Sequence, residues 1–340
     1  MQVICIGLIN FCILKVYLVF TNSEAIISDL GIYEAWSQDI LSNKEPHHLP
    51  VFPIMVWFFR LITFGIFDTL AYMQLIALFA WIFLCIQIEK ILHLILNEKY
   101  QKHALILIAF FPVFGFSFVL YPAPDKLSHL AIAVMFLGYL TNSKTKFIVA
   151  GSLGLLIHKA MWPYILIMIA AGIIKRKINI YQSLVIFLPI IIYYKLVTVN
   201  NPNNELNIFI NFFTDFGLKN GISIPFYELY KGLEFTTLKT FIKSFYLLVI
   251  SFVALYLMII NTYQRNVMNV LILLPILMIG GFITEKVLSG FLRHSVFIII
   301  PIFSSARFKL VKNLILNLNS YILLVLLLIS QAWFLLIIYS

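Results

Sequence analysis

Long runs of apolar residues separated by short polar gaps recur from residue 3 to residue 338. They cover roughly 3–20, 68–96, 104–120, 127–141, 147–157, 164–174, 179–196, 244–261, 267–284, 295–303 with its neighbours, and 317–338. A helix that crosses a membrane perpendicularly needs about 20 residues, and several runs are shorter. The pattern predicts an all-α, polytopic membrane protein with about 11 transmembrane helices.

Clusters of basic residues lie in short gaps between the apolar runs. The basic gaps hold Lys99 and Lys102, Lys144 and Lys146, Lys175 to Lys177, Arg265, and Arg307, Lys309 and Lys312. Cytoplasmic loops of membrane proteins are enriched in Lys and Arg. Placing these gaps in the cytoplasm predicts a cytoplasmic N-terminus and external loops at about 21–67 and 196–243.

Two stretches need separate treatment in this topology. Residues 50–67 are apolar enough to cross, but a crossing there would invert every later loop. Their prolines and the mid-run Arg60 favour an interfacial amphipathic helix in the first external loop. Residues 147–174 are predicted as two short helices, because basic gaps at both ends must lie on the same side.

Composition excludes a soluble globular domain, since 62% of residues are hydrophobic, 11% are charged and the mean hydropathy is +1.00. The polar stretches do not divide the chain, so residues 1–340 are predicted to form a single membrane domain. The net charge of +10 is explained by topology, and no nucleic acid partner is expected. Cys5, Cys12 and Cys85 lie in apolar runs without metal-ligand spacing, so they are assigned to packing.

The first external loop concentrates negative charge, with five of the chain's 14 acidic residues between positions 24 and 45. Asp29 follows the first apolar run closely, and Tyr33 shares its side if the segment is helical. A carboxylate there could act as a general base, or it could cap a helix that begins at Leu30. Glu45 precedes two adjacent histidines, which rarely converge on one metal ion, so a solvated loop is favoured over a metal site.

Several cations lie in gaps assigned to the external side, where topology does not explain them. Lys126 follows Asp125 in a proline-rich turn, and the others are His158, Lys159, Arg293 and His294. Ionisable groups at the hydrocarbon edge are costly and often mark a substrate path. They could bind a lipid-linked phosphate, and the alternative is snorkelling towards lipid headgroups.

The order of these motifs resembles the GT-C class of membrane glycosyltransferases, particularly the enzymes that use polyprenyl- or dolichyl-phosphate mannose. The similar segments are SDLGIYEAW, SNKEPHHLPVFPIMVWF, YPAPDKL, AGSLGLLIHK and FLRHSVFIIIPIF. The acidic pair common in the first loop of that class is represented here by Asp29 alone. The resemblance implies that Asp29 is catalytic and that the donor and acceptor bind at Tyr33, Glu45, Asp125, Lys126, His158, Lys159, Arg293 and His294.

The chain is also similar to the polysaccharide polymerases of the Wzy/EpsG type. That resemblance rests on Asp29, Tyr33 and the Glu45-Pro46 pair in the first loop, and on the segment LLIHKAMWP. An Arg-Gln pair is usual at the start of the preceding helix in those polymerases, and Asp125-Lys126 stands there in this chain.

These resemblances imply an inverting, metal-independent and cofactor-free glycosyltransferase in the cell inner membrane. Its expected partners are a polyprenyl-phosphate-linked sugar donor, a glycan or lipid acceptor, and membrane lipids. Two alternatives remain open at this point. One is an O-antigen or exopolysaccharide polymerase, and the other is a flippase or transporter of lipid-linked sugars, for which internal repeats would be expected.

Overall fold

The computed structural model describes residues 2–20, 49–95, 101–102, 105–106, 109–110, 124–158, 162–200 and 321–329. Within these ranges the chain is all-α and has no β-strand. The helices are α1 (Gln2–Phe20), α2 (Val51–Ile62), α3 (Thr69–Ile95), α4 (Asp125–Leu140), α5 (Lys144–Ile157), α6 (Trp162–Ile174) and α7 (Ile180–Asn200), and residues 321–329 are also helical.

α3 is a long apolar helix against which α1, α2 and α4 pack. Asp68 caps its N-terminus, because Asp68 Oδ1 accepts a hydrogen bond of 2.6 Å from the backbone N–H of Ala71. Further along α3, the buried indole of Trp81 contacts Gly7 of α1. Thr69–Leu94 is long and apolar enough to cross a membrane, and it is the one such stretch in the part of the chain that the structure describes.

α2 is a short helix packed against the first turns of α3. Its buried Phe52 and Val56 join a cluster with Tyr72, Met73 and Ile76. Twelve residues span only about 18 Å, which is too short to cross the ~30 Å hydrocarbon core. α5 and α6 are only one or two residues longer, so the interfacial placement of α2 stays a prediction.

One side of α2 is buried against α3, and the other side is exposed. The exposed side has five large apolar side chains, which are Ile54, Trp57, Phe58, Leu61 and Ile62. Arg60, the one charged residue of α2, is half-buried. A face of this kind suits contact with lipid better than contact with water, because exposed apolar area is costly in water.

The hydroxyl of Tyr72 fastens the end of α2 to the start of α3. It accepts a hydrogen bond of 3.1 Å from the backbone N–H of Phe67 and also bonds the hydroxyl of Thr63. The chain between the two helices turns through left-handed conformations at Phe64 (φ 54°) and Gly65 (φ 70°). The residues that end α2 are therefore held directly by a buried side chain of α3.

α4 and α5 form a tight antiparallel hairpin whose register is set by glycines. A Cβ on Gly138 would lie 2.7 Å from the backbone nitrogen of Phe147, so the two backbones almost touch there. Gly154 of α5 lies two helical turns further along. A Cβ on Gly154 would lie 3.5 Å from Ala131 of α4 and 2.8 Å from Ile165 of α6. Small residues allow such close helix approach in membranes as they do in water.

The remaining packing places α6 and α7 beside this hairpin. A Cβ on Gly151 of α5 would lie 3.1 Å from the side chain of Ile186 of α7. A Cβ on Gly172 of α6 would lie 3.0 Å from the side chain of Ile178. Buried residues of α3, α4, α5, α6 and α7 belong to one apolar cluster. The site discussed below lies at the end of the bundle where α4 begins and α5 ends.

The observed helices match the predicted runs within the described ranges. The two short helices predicted in 147–174 are α5 and α6, and α5 ends at His158 as expected. The runs at 244–261, 267–284 and 295–303 lie outside the described residues, so the number of crossings stays a prediction. The packing role assigned to the cysteines holds for Cys85, which is buried, and is wrong for Cys5 and Cys12, which are exposed.

Candidate functional site

The described residues include only part of the predicted site. Lys126 and His158 are described, and Asp125 is the first residue of α4. The other predicted site residues lie outside the described ranges, and these are Asp29, Tyr33, Glu45, Lys159, Arg293 and His294.

Lys126 lies in the first turn of α4, and it is buried. Pro124 precedes α4 with φ −61°, a conformation that proline favours at a helix start. Ser128 strengthens this turn, because both its backbone N–H and its hydroxyl donate to the carbonyl oxygen of Pro124 at 3.0 Å. The Lys126 side chain is only 1% exposed, so the ammonium does not reach the surface of the protein.

The surroundings of Lys126 come from α3 as well as from α4. The neighbouring Leu127 packs against the cluster that contains Tyr72, Met73 and Ile76. Deeper along α3, the buried Cys85 lies within electrostatic range of Lys126 and also of Glu89. Because Lys126 is 1% exposed, the snorkelling alternative does not describe this residue.

His158 ends α5 in an extended conformation, with φ −154° and ψ 130°. In the α4–α5 hairpin, Phe147 faces Gly138 and Gly154 faces Ala131. One helical turn beyond Gly154, the same pairing of the two helices places His158 opposite Leu127. Lys126 and His158 are thus brought to the same end of the hairpin, and Nδ1 of His158 is buried there.

Two further buried polar residues were not included in the predicted site. His129 is 2% exposed and follows Lys126 by one helical turn, so both project from one side of α4. Gln74 of α3 is 3% exposed and follows Met73 in the chain. In the sequence, both are polar residues inside an apolar run. Polar residues in membrane helices usually face the protein interior.

This end of the bundle carries a buried ammonium and two imidazoles, at Lys126, His129 and His158. All three groups can donate hydrogen bonds. The buried polar or charged side chains of the described residues are Thr69, Gln74, Lys126, Ser128, His129 and Ser183, and none of them is a carboxylate. Among those residues there is also no group of three His, Cys, Asp or Glu that could hold a metal ion.

Comparison of the chain with protein-family models, with curated proteins and with solved structures gave no match. The functional assignment therefore depends on the residues and their geometry.

Proposed function

We propose that the protein is an integral membrane glycosyltransferase. It transfers a sugar from a polyprenyl-phosphate-linked donor to a glycan or lipid acceptor at the external face, in the synthesis of a cell-envelope polysaccharide. The observation that carries this proposal is the burial of Lys126 at the end of the bundle shared with His158.

The ammonium of Lys126 is buried. Desolvating an ion costs on the order of several kcal/mol even in a protein that relaxes around it. A phosphate is a suitable ligand because charge-assisted hydrogen bonds to its oxygens are about twice as strong as neutral ones. The donor phosphate would lie between Lys126 and His158, with Lys159, Arg293 and His294 as further proposed cationic partners and Asp125 beside them.

The proposed reaction needs one base and a good leaving group. Asp29 takes the proton of the acceptor hydroxyl, that oxygen attacks the anomeric carbon opposite the phosphate, and the bond from that carbon to the phosphate oxygen breaks. The polyprenyl phosphate leaves with the bonding electrons, stabilised by the cations that held it, and the anomeric configuration inverts. Tyr33 and Glu45 are proposed to orient the acceptor in the same loop.

The proposed reaction requires that the first loop and the start of α4 lie on the same side of the membrane. In the proposed topology of about 11 crossings the N-terminus is cytoplasmic, and the loops at about 21–67 and 196–243 are external. Cysteine substituted for Asp39 should react with an impermeant thiol reagent in intact cells, in a background whose native cysteines have been replaced. Labelling only after the membrane is permeabilised would contradict this topology and the site built on it.

A second candidate, a polysaccharide polymerase of the Wzy/EpsG type, is favoured by one specific observation. The α5 helix ends at His158, and the hairpin brings this histidine level with the start of α4. The matching histidine-terminated helix is part of the polymerase resemblance. A polymerase would take a lipid-linked oligosaccharide as its donor in place of a single lipid-linked sugar.

The test of the proposed function is a transfer assay with the purified full chain in lipid nanodiscs. One reaction contains a radiolabelled polyprenyl-phosphate monosaccharide and an acceptor glycolipid, and the other contains a lipid-linked oligosaccharide. Transfer of a single sugar supports the proposal. Elongation of the oligosaccharide into longer chains supports the polymerase, and no transfer in either reaction by a folded protein would count against both enzymes.

A further inference from the structure

We infer that the opposite end of the bundle holds a binding site for the phosphate headgroup of anionic phospholipids. Two turns meet there, one joining α4 to α5 and the other joining α6 to α7. Their exposed cations are Lys144, Lys146, Lys175 and Arg176. Because α4 is about 24 Å long, this surface is separated from Lys126, and the inference does not depend on the proposed reaction.

Side-chain contacts fix the two turns next to each other. Lys177 Nζ donates a hydrogen bond of 2.7 Å to the carbonyl oxygen of Tyr139, close to the C-terminus of α4. The same ammonium lies 4.1 Å from the centroid of the Tyr139 ring, which adds a cation–π contact. A Cβ on Gly172 would lie 3.4 Å from Phe147 of α5, so the apolar side chains below the turns are also in contact. Lys177 is therefore occupied in joining the turns, and the four exposed cations share one surface.

The backbone of these turns places an arginine where glycine is the usual residue. Both helices end with a left-handed residue, Asn142 at φ 57° and Arg176 at φ 54°. The next N–H in each turn bonds back across five residues at 2.8 Å, from Ser143 to Gly138 and from Lys177 to Gly172. Asparagine tolerates this conformation, whereas arginine adopts it at a conformational cost.

The segment that contains both turns carries no carboxylate of its own. No Asp or Glu occurs in residues 126–200, which contain all of both turns. Four exposed cations in a segment without carboxylates form a positive field that attracts anions. The preference of basic residues for the cytoplasmic side explains which side they lie on, but it does not require two turns to be joined into one surface.

The apolar residues beside the cations identify the anion as a lipid. Exposed side chains continue from the turns along α6 and α7, and these are Ile174, Ile180, Tyr181, Leu184 and Leu188. A phospholipid can place its phosphate among the cations and its acyl chains along this apolar face. A nucleic acid or an acidic protein segment would leave the same apolar face without a partner.

The experiment measures lipid retention by the full chain purified in detergent. The protein is incubated with phosphatidylglycerol or phosphatidylcholine, and bound lipid is counted by native mass spectrometry at low and high salt. We expect a preference for phosphatidylglycerol that weakens as salt screens the charges. The paired variants Lys144→Gln with Lys146→Gln, and Lys175→Gln with Arg176→Gln, should each lower phosphatidylglycerol affinity roughly tenfold or more.

A charge-matched control is the pair Lys90→Gln with Lys195→Gln, since both lysines are exposed elsewhere on the described helices. It should leave the lipid preference unchanged. The variant Arg176→Gly separates folding from binding, because glycine suits the left-handed backbone and yet removes one charge. This variant should unfold no more easily than the wild type while losing roughly fivefold in phosphatidylglycerol affinity.

Three results would overturn the site. The first is equal retention of the two lipids by the wild type. The second is phosphatidylglycerol affinity that survives both paired variants. The third is an oligonucleotide or inorganic phosphate that binds the wild type where phosphatidylglycerol does not.

Discussion

Replacing Asp29 with asparagine should lower the turnover of lipid-linked donor by about 10²–10⁴, the usual contribution of general-base catalysis. Asparagine keeps the size and hydrogen bonding of the side chain but cannot accept the proton of the acceptor hydroxyl. Expression and donor binding should therefore stay near wild type, because Asp29 is assigned to the acceptor and not to the phosphate. The measurement is single-turnover transfer of a radiolabelled sugar by the purified variant.

Asp68→Asn is the matched control for this experiment. Asp68 is exposed and its carboxylate caps α3 through the N–H of Ala71. Asparagine is an equally good cap, so this variant removes a carboxylate from the first loop region without removing a structural contact. Asp39→Asn is a second control within the loop, outside the described residues. Near-normal turnover by Asp29→Asn would reject the assignment and direct attention to Asp125 or Glu45.

Replacing Lys126 with methionine should raise the apparent Michaelis constant for the lipid donor by roughly 10- to 100-fold, the equivalent of losing one hydrogen bond to a charged group. The unfolding temperature of the protein should rise or remain the same. Methionine keeps most of the length of the lysine side chain and removes the cost of desolvating its charge. Donor titrations and thermal unfolding of the same purified sample measure the two effects together.

This combination separates a phosphate-binding lysine from a structural one. If Lys126 only stabilised the start of α4, the methionine variant would unfold at a lower temperature and the unfolding would account for any lost activity.

His158→Gln should also raise the apparent Michaelis constant for the lipid donor without changing turnover per bound donor, since His158 lies level with Leu127 at this end of the hairpin. Lys90→Gln is the control for loss of an exposed cation. Unchanged donor constants in both site variants would contradict the proposed phosphate site.

The helices were predictable because each depends on a local signal. The apolar run at 68–96 corresponds to α3, and the basic gaps on both sides of 147–174 required the break that the structure shows at His158. The length of α2 was overestimated, because the run at 50–67 stays apolar after the helix has ended. The left-handed turn at Phe64 and Gly65 stops α2 at Ile62, and no change in hydropathy marks that point.

The site was less predictable because burial depends on which faces of apolar helices meet. α4 carries apolar residues around most of its circumference, so its sequence does not reveal the side that faces α3. The same ambiguity left Lys126 with a snorkelling alternative and left Gln74 and His129 out of the predicted site. The glycines that set the hairpin register do indicate close packing, but only the structure shows that Gly138 faces Phe147 and Gly154 faces Ala131.

The lengths of α5 and α6 have a consequence for the surrounding bilayer. They contain 14 and 13 residues, which correspond to about 21 and 20 Å along their axes. If the exposed lysines at their other ends stay at the cytoplasmic interface, His158 lies about 10 Å below the opposite surface of a bilayer with a ~30 Å core. Lipids can thin locally to meet such short helices, and polar side chains draw water to that depth. The sugar acceptor would then enter a wet depression in the membrane, and the lipid donor would meet it there without its phosphate leaving the headgroup layer.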